Sequence, residues 1–204
     1  MTVIGVTGPS GSGKSLFGEF LRQQGLTVID ADQVYHELLI PPSPCLDALR
    51  SAFGDGILHA DGSLNRAALS EIVFHDEEAL TLLNKTVLDI VLVRIREMLR
   101  EREAMGDSVV VVDAPTLIES GYHKECDRVI SILAPASHRL ERIMARDGIS
   151  EERALARIQA QKDDAFYRDH SDHVLLNEGT KEEMLCKAAK LCRSLGLVMG
   201  EENR

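Results

Sequence analysis

Residues Thr2–Ser15 read T-V-I-G-V-T-G-P-S-G-S-G-K-S. The first six are mostly apolar and rich in β-branched residues, the pattern of a strand buried on both faces. The next eight, Gly8-Pro9-Ser10-Gly11-Ser12-Gly13-Lys14-Ser15, match G-x-x-x-x-G-K-[ST] at every fixed position. A helix is expected over Ser15–Gln24, stopped by Gly25. Strand, glycine-rich loop and helix in that order form a phosphate-binding unit. The glycines let the backbone curl so that successive N–H groups point at phosphate oxygens. The helix N-terminus adds partial positive charge. Lys14 would reach the β- and γ-phosphates of a nucleotide, and Ser15 would coordinate Mg²⁺. All eight loop residues are therefore expected ATP contacts.

The pattern continues outward. Further buried strands are expected at Thr27–Ile29, Ser108–Val112, Arg128–Leu133 and His173–Leu176. Helix-length segments separate them, which predicts an α/β fold with a five-stranded parallel sheet and helices on both faces. Apolar residues from Leu80 to Leu99 repeat at three- and four-residue spacing, predicting one long helix over about Glu77–Arg102. Thr180 with Glu183 forms a capping box that opens a last helix to about Leu195. Two stretches break the alternation. Residues 34–102 hold no strand pattern and read as a helical insertion. Residues 146–171 are polar, charged and interrupted, and read as a mobile flap. Both follow strand C-terminal ends, where ligands bind in open α/β sheets.

Composition narrows the function classes. The chain has 204 residues, with 23 Lys+Arg against 33 Asp+Glu and a net charge of −10. A general nucleic-acid binder would carry a basic surplus. A phosphate site needs only a few local cations and backbone N–H groups. No apolar run approaches the ~18 residues of a membrane helix. Met1–Gly5 lacks the basic start of a signal peptide, so a cytoplasmic location is expected. Four scattered cysteines without Cys-x-x-Cys fit reduced thiols rather than disulfides or zinc.

Four apolar residues lead into Asp113, the layout of a Walker B strand whose carboxylate helps hold Mg²⁺. Asp30-Ala31-Asp32 follows the second strand. A carboxylate there can orient an acceptor hydroxyl and take its proton, and Asp32 is the better placed of the pair. Asp30 has the alternative of capping the next helix. Arg139, Arg142 and Arg146 fall on one face of a helix after the fourth strand, with Arg153, Arg157 and Arg168 in the flap. Guanidinium groups suit phosphate contacts, which only one or two of the six need make. Phe166 and Tyr167 could stack on adenine or pack the flap. No Asn-Lys-x-Asp follows a later strand, which removes a GTPase reading. A chain of this size with an insertion and a closing flap suits a small-molecule kinase, because activated ATP must be kept from water.

In joint order these segments resemble the dephospho-CoA kinases over about residues 3–195. The phosphate loop is followed by Val28-Ile29-Asp30-Ala31-Asp32, then Phe53–Leu58 with Asp61–Arg66. Next come Leu69–Phe74, Asp113–Gly121, Arg142–Ser150, Ala156–Gln161 and Asp172 to Asn177. The resemblance implies a P-loop NTPase fold in a single domain over 1–204. Within it lie a helical acceptor-side insertion at 34–102 and a lid at 146–171. It implies transfer of the ATP γ-phosphate to the 3′-hydroxyl of dephospho-CoA, with Mg²⁺ as cofactor and a monomer or small homo-oligomer. Asp32 would be the base, with Lys14 and Ser15 on phosphate and Mg²⁺. Arg142 would face the transferring group. Arg146 and Asn177 would lie at the adenine end, and His36, Arg66, Pro115 and Leu117 beside the acceptor. Leu88-Asp89 stands where the family commonly has His-Pro, and Tyr167 where a basic residue is frequent. Two alternatives therefore stay open. One is another small-molecule or nucleoside monophosphate kinase. The other is an ATP-binding protein that acts through partners without transfer.

Overall fold

The computed structural model describes residues 1–74 and 76–197. Five strands are present: β1 (Thr2–Thr7), β2 (Thr27–Asp30), β3 (Val109–Asp113), β4 (Arg128–Leu133) and β5 (His173–Leu176). They form one sheet in the order β2-β3-β1-β4-β5. β1 pairs in parallel with β3 and β4, and β4 in parallel with β5. β3 begins and ends one residue later than its apolar run suggests, because Asp113 pairs with Val6 and extends the ladder. The crossovers place β1, with its loop, in the middle of the sheet.

The helices are α1 (Lys14–Gln23), α2 (Ala31–Leu38), α3 (Pro44–Phe53), α4 (Arg66–Phe74) and α5 (Glu77–Ala104), followed by α6 (Ala136–Asp147), α7 (Glu151–Gln159), α8 (Asp164–Asp169) and α9 (Lys181–Ser194). α1 and α9 cover one sheet face. Phe17, Leu21, Met184 and Ala188 pack there on Ile4, Val6, Val111 and Ile130. Burial of such side chains contributes roughly 1.5–3 kcal/mol each. On the other face Tyr167 of α8 packs on Leu133 and Ile118. The α9 capping box forms as expected, with Thr180 and Glu183 satisfying each other's backbone N–H groups.

The chain divides into two compact units. One comprises Met1–Ile29 and the chain from Met105 onward, and the other is Asp30–Ala104. The second contains α2 to α5 and, apart from Asp30 at the end of β2, no strand of the sheet among its described residues. Leu39, Cys45, Leu46, Leu49, Ile57 and Leu69 form its core, with Leu83, Val87 and Ile90 of α5 against it. Ser43 and Asp76 cap the starts of α3 and α5 through side-chain oxygens. α5 runs unbroken through Leu88-Asp89. A proline at 89 would remove an N–H from the helix interior, and the exposed Asp89 leaves it regular. Among the described residues no helix is long and apolar enough to cross a membrane.

Candidate active site

The loop after β1 is built for an anion. α1 starts at Gly13, which has a left-handed backbone (φ 105°), no side-chain cap and no acidic residue in the first turn. Its first N–H groups are therefore free of the usual capping oxygen. By contrast α7, α8 and α9 are capped by Ser150, Asp163 and Thr180. Gly8 (φ 142°) and Gly13 are also required by close approach. A Cβ at Gly8 would run into the Ile132 carbonyl, and one at Gly13 into the Asn177 amide.

Three side chains hold the loop from outside by its carbonyls. Arg139 Nε donates to Ser10 O at 2.9 Å, Arg142 Nη1 to Gly11 O at 3.1 Å, and Asn177 Nδ2 to Ser12 O at 2.7 Å. Arg142 Nη2 also donates to Asn177 Oδ1 at 3.3 Å, which joins two of the three. Engaging three successive carbonyls outside the loop leaves its inner side to N–H donors. Arg139 is only 5% exposed. Burial pulls its guanidinium down from the usual value, and Asp164 and Tyr167 nearby act the other way.

The remaining residues expected here are placed as follows. Ser15 is exposed and Lys14 half-buried, on the first turn of α1. Asp113 is buried at the end of β3. Its Oδ2 lies 3.6 Å from where a Cβ on Gly18 would stand, against the face of α1 that carries Ser15 one turn earlier. A hydroxyl and a carboxylate are the hard oxygen donors that Mg²⁺ takes. Among the described residues no group of three or more His, Cys, Asp or Glu could hold a metal ion. The pair, one hydroxyl and one carboxylate, suits an ion that completes its shell with phosphate and water.

Arg146 is exposed and grips Asp147 through Nε (2.7 Å) and Nη2 (3.0 Å), and Arg157 of α7 meets the same carboxylate. Arg146 thereby holds the Asp147 carboxyl below the usual range. Pro115 lends its carbonyl to Thr7 Oγ1 at 3.2 Å, fixing the loop after β3. Leu117 has no exposed surface and abuts Gly5, so it supports that loop from beneath. Tyr167 is buried and hydrogen-bonds the Glu119 carboxylate. Burial and that carboxylate push its phenol up to about 12. Phe166 and Tyr167 thus pack the flap segment onto the sheet.

Within the unit Asp30–Ala104, Asp30 is the helix cap. Its Oδ1 accepts from the N–H groups of Asp32 (2.9 Å) and Gln33 (3.1 Å). That leaves Asp32 exposed in the first turn of α2, with His36 one turn later on the same face. His36 lies against the Tyr35 ring, 5.7 Å between centroids, and Arg66 is near enough to Tyr35 to act on its phenol. Tyr35 carries no motif and was not anticipated from sequence.

One further residue engages the loop. Gln161, between α7 and α8, accepts from Ser10 N at 3.1 Å and donates to Ser10 Oγ at 3.0 Å. The family described as dephospho-CoA kinase matches residues 2–183. The chain belongs to that family. A dephospho-CoA kinase from Thermobifida fusca is 37% identical over 195 residues, 96% of each chain. The solved dephospho-CoA kinase of Campylobacter jejuni superposes with a TM-score of 0.70 at 28% identity, covering 95% of this chain and 96% of that one. TT1252 from Thermus thermophilus gives a TM-score of 0.79 at 32% identity and 98% coverage of both chains. The fold is that of the P-loop kinases, and membership makes the chain an ATP-dependent kinase of the coenzyme A branch.

Proposed function

We propose that this kinase transfers the γ-phosphate of ATP to the 3′-hydroxyl of dephospho-CoA, giving coenzyme A. The observation that carries this is the phosphate loop held open by Arg139, Arg142 and Asn177, in a chain matched to the family over residues 2–183. The N–H groups of Gly11 and of Gly13 to Ser15 bind the phosphates, while the Ser12 N–H closes the loop on the Pro9 carbonyl, and Lys14 balances charge as it shifts to the leaving oxygen. Mg²⁺, held by Ser15 and Asp113 with the nucleotide, would neutralise the β- and γ-oxygens. Asp32 orients the acceptor hydroxyl and takes its proton as the bond to phosphorus forms. A carboxylate left exposed because Asp30 does the capping is available for that work. Residues 34–102 serve as the acceptor-side insertion, with His36 and Arg66, and Pro115 borders the acceptor. Residues 146–171 serve as a lid that excludes water. Arg142 and Asn177 act on ATP by shaping the loop, and Arg146 lies toward the adenine end. The protein works in the cytoplasm as a monomer or small homo-oligomer.

The test is transfer from Mg-ATP to dephospho-CoA, adenosine, AMP, CMP and pantetheine phosphate, with products read by mass. A dephospho-CoA product heavier by one phosphoryl group, and none with the other acceptors, is expected. Leu88-Asp89 is the feature that favours a different acceptor. Transfer only to another compound would overturn the acceptor, and ATP binding without transfer would overturn the reaction.

A further inference from the structure

Ser10, the third residue of the phosphate loop, has all its polar groups engaged by two side chains from outside the loop. Its N–H donates to Gln161 Oε1 at 3.1 Å. Its Oγ accepts from Gln161 Nε2 at 3.0 Å. Its carbonyl accepts from Arg139 Nε at 2.9 Å. The two side chains are themselves joined, Arg139 Nη2 donating to Gln161 Oε1 at 2.7 Å. The Gln161 amide accepts from the Ser10 N–H through its oxygen and donates to the Ser10 hydroxyl through its nitrogen, both at once. Arg139 fixes which end of that amide is the oxygen, because a guanidinium only donates.

We infer that Gln161 is a positioning residue for phosphoryl transfer, acting through Ser10, and that it is the joint at which the lid is fastened to the phosphate loop. The inference rests on the phosphotransfer reading above. Gln161 sits just after α7 and just before α8. α8 is anchored, because Tyr167 is 2% exposed in the core against the sheet. α7 is bounded on its other side by Gly148, whose left-handed backbone (φ 63°) ends α6. Gly148 and Gln161 thus bracket α7, and one bracket is bonded to the loop that holds the phosphates. Closure at α7 and the register of Ser10 then share one set of hydrogen bonds. With the Ser10 N–H directed at Gln161 Oε1, the phosphate-facing backbone donors begin at Gly11. Without Gln161, the Ser10 N–H and hydroxyl would be released beside the bound nucleotide.

The test uses the full-length enzyme and three variants: Gln161→Ala, Gln161→Glu, and Ser10→Ala combined with Gln161→Ala. Turnover, KM for each substrate, Mg-ATP affinity by calorimetry and the melting midpoint are measured together. Gln161→Ala should lower kcat about tenfold, the size of one well-placed hydrogen bond. Acceptor KM should stay within about twofold, and Mg-ATP affinity should fall about threefold, since only loop order is lost. Gln161→Glu keeps an acceptor for Ser10 N–H and Arg139, and the Ser10 hydroxyl can turn to donate. It should recover most of the turnover, and it carries the test if the alanine variant does not fold. In the Ser10→Ala background the alanine change should cost less than it does alone. A lower melting midpoint with kcat and ATP affinity unchanged would make Gln161 merely structural and overturn the inference. A loss seen only in acceptor KM would overturn it too, because Gln161 would then touch the acceptor. Should the parent enzyme phosphorylate no acceptor, the acceptor assignment fails by itself. Mg-ATP affinity then decides on Gln161, and no change in Gln161→Ala would sink it.

Discussion

The phosphate loop and the unit Asp30–Ala104 are specified in opposite ways. In the loop, the carbonyls of Ser10, Gly11 and Ser12 each have a named side-chain donor, two of them from buried residues, Arg139 and Asn177. In the unit Asp30–Ala104, the buried part is the apolar core around Leu46, Leu49 and Ile57. Its candidate functional residues Asp32, His36 and Arg66 are all exposed. A loop that must present N–H donors to a polyanion gains from being fixed before the ligand arrives, since electrostatic stabilisation depends on preorganised dipoles. Side chains that meet an acceptor hydroxyl can be carried on a rigid helical surface and completed by the ligand. Substitutions of the side chains that hold the loop carbonyls should therefore disturb ATP handling and stability together. Those in the second region should disturb transfer alone.

The largest effect is expected from Lys14→Ala. Loss of that charge should lower kcat by roughly 10²–10³, the range for removing one preorganised stabilising group. Circular dichroism and the melting midpoint should be nearly unchanged, since Lys14 is not part of the core. Asn177→Ala comes next and strikes both properties. It leaves the Ser12 carbonyl without its donor and frees Arg142 from one partner, at a cost of about 1–3 kcal/mol. The urea midpoint should fall at constant m-value, and ATP affinity should fall with it. A matched Arg66→Ala should weaken the acceptor KM while moving neither quantity. An equal loss of stability in the two variants would erase the contrast between the regions.

The smallest effect lies at alkaline pH. Tyr167 titrates near 10 when unfolded and is pushed up to about 12 in the fold. The folded protein therefore holds that proton more tightly. The associated stability is complete below about pH 10 and is lost as pH climbs toward about 12. Cys126, raised from 9.0 to about 12 by burial and the nearby Glu125 and Asp127, adds to the same decline. Tyr167→Phe should flatten the fall in the unfolding midpoint between about pH 10 and 12 without abolishing it. An unchanged slope would show that the phenol is not held by burial and Glu119.

Much of this was legible in the amino-acid order. Continuous β-branched runs located β1, β4 and β5 at their observed ends, and the loop motif named its own residues. The long apolar repeat located α5 to within two residues at its C-terminal end, Ala104 rather than Arg102. The signals that failed were long-range. Arg139, Gln161 and Asn177 meet the loop across separations of 129, 151 and 165 residues. No local period encodes such a meeting. The arginines of α6 were legible as one helical face, with one or two of the six arginines expected on phosphate, but their protein partners were not legible. Arg139 and Arg142 bind loop carbonyls, and Arg146 and Arg157 share Asp147. The polar stretch at 146–171 hid two ordered helices, because Ala154 and Tyr167 supply too few apolar positions to show a repeat.

In the proposed division of labour the phosphate loop binds ATP and Asp32 acts on the acceptor hydroxyl. Asp32→Asn tests it most directly, with Mg-ATP affinity by calorimetry beside turnover on dephospho-CoA. The carboxamide keeps the size of the side chain and loses the basic oxygen. The kcat should fall about 10²-fold or more, in the range of general-base catalysis, with ATP affinity within about twofold of the parent. Turnover retained near the parent level, or ATP affinity lost in step with turnover, would contradict it.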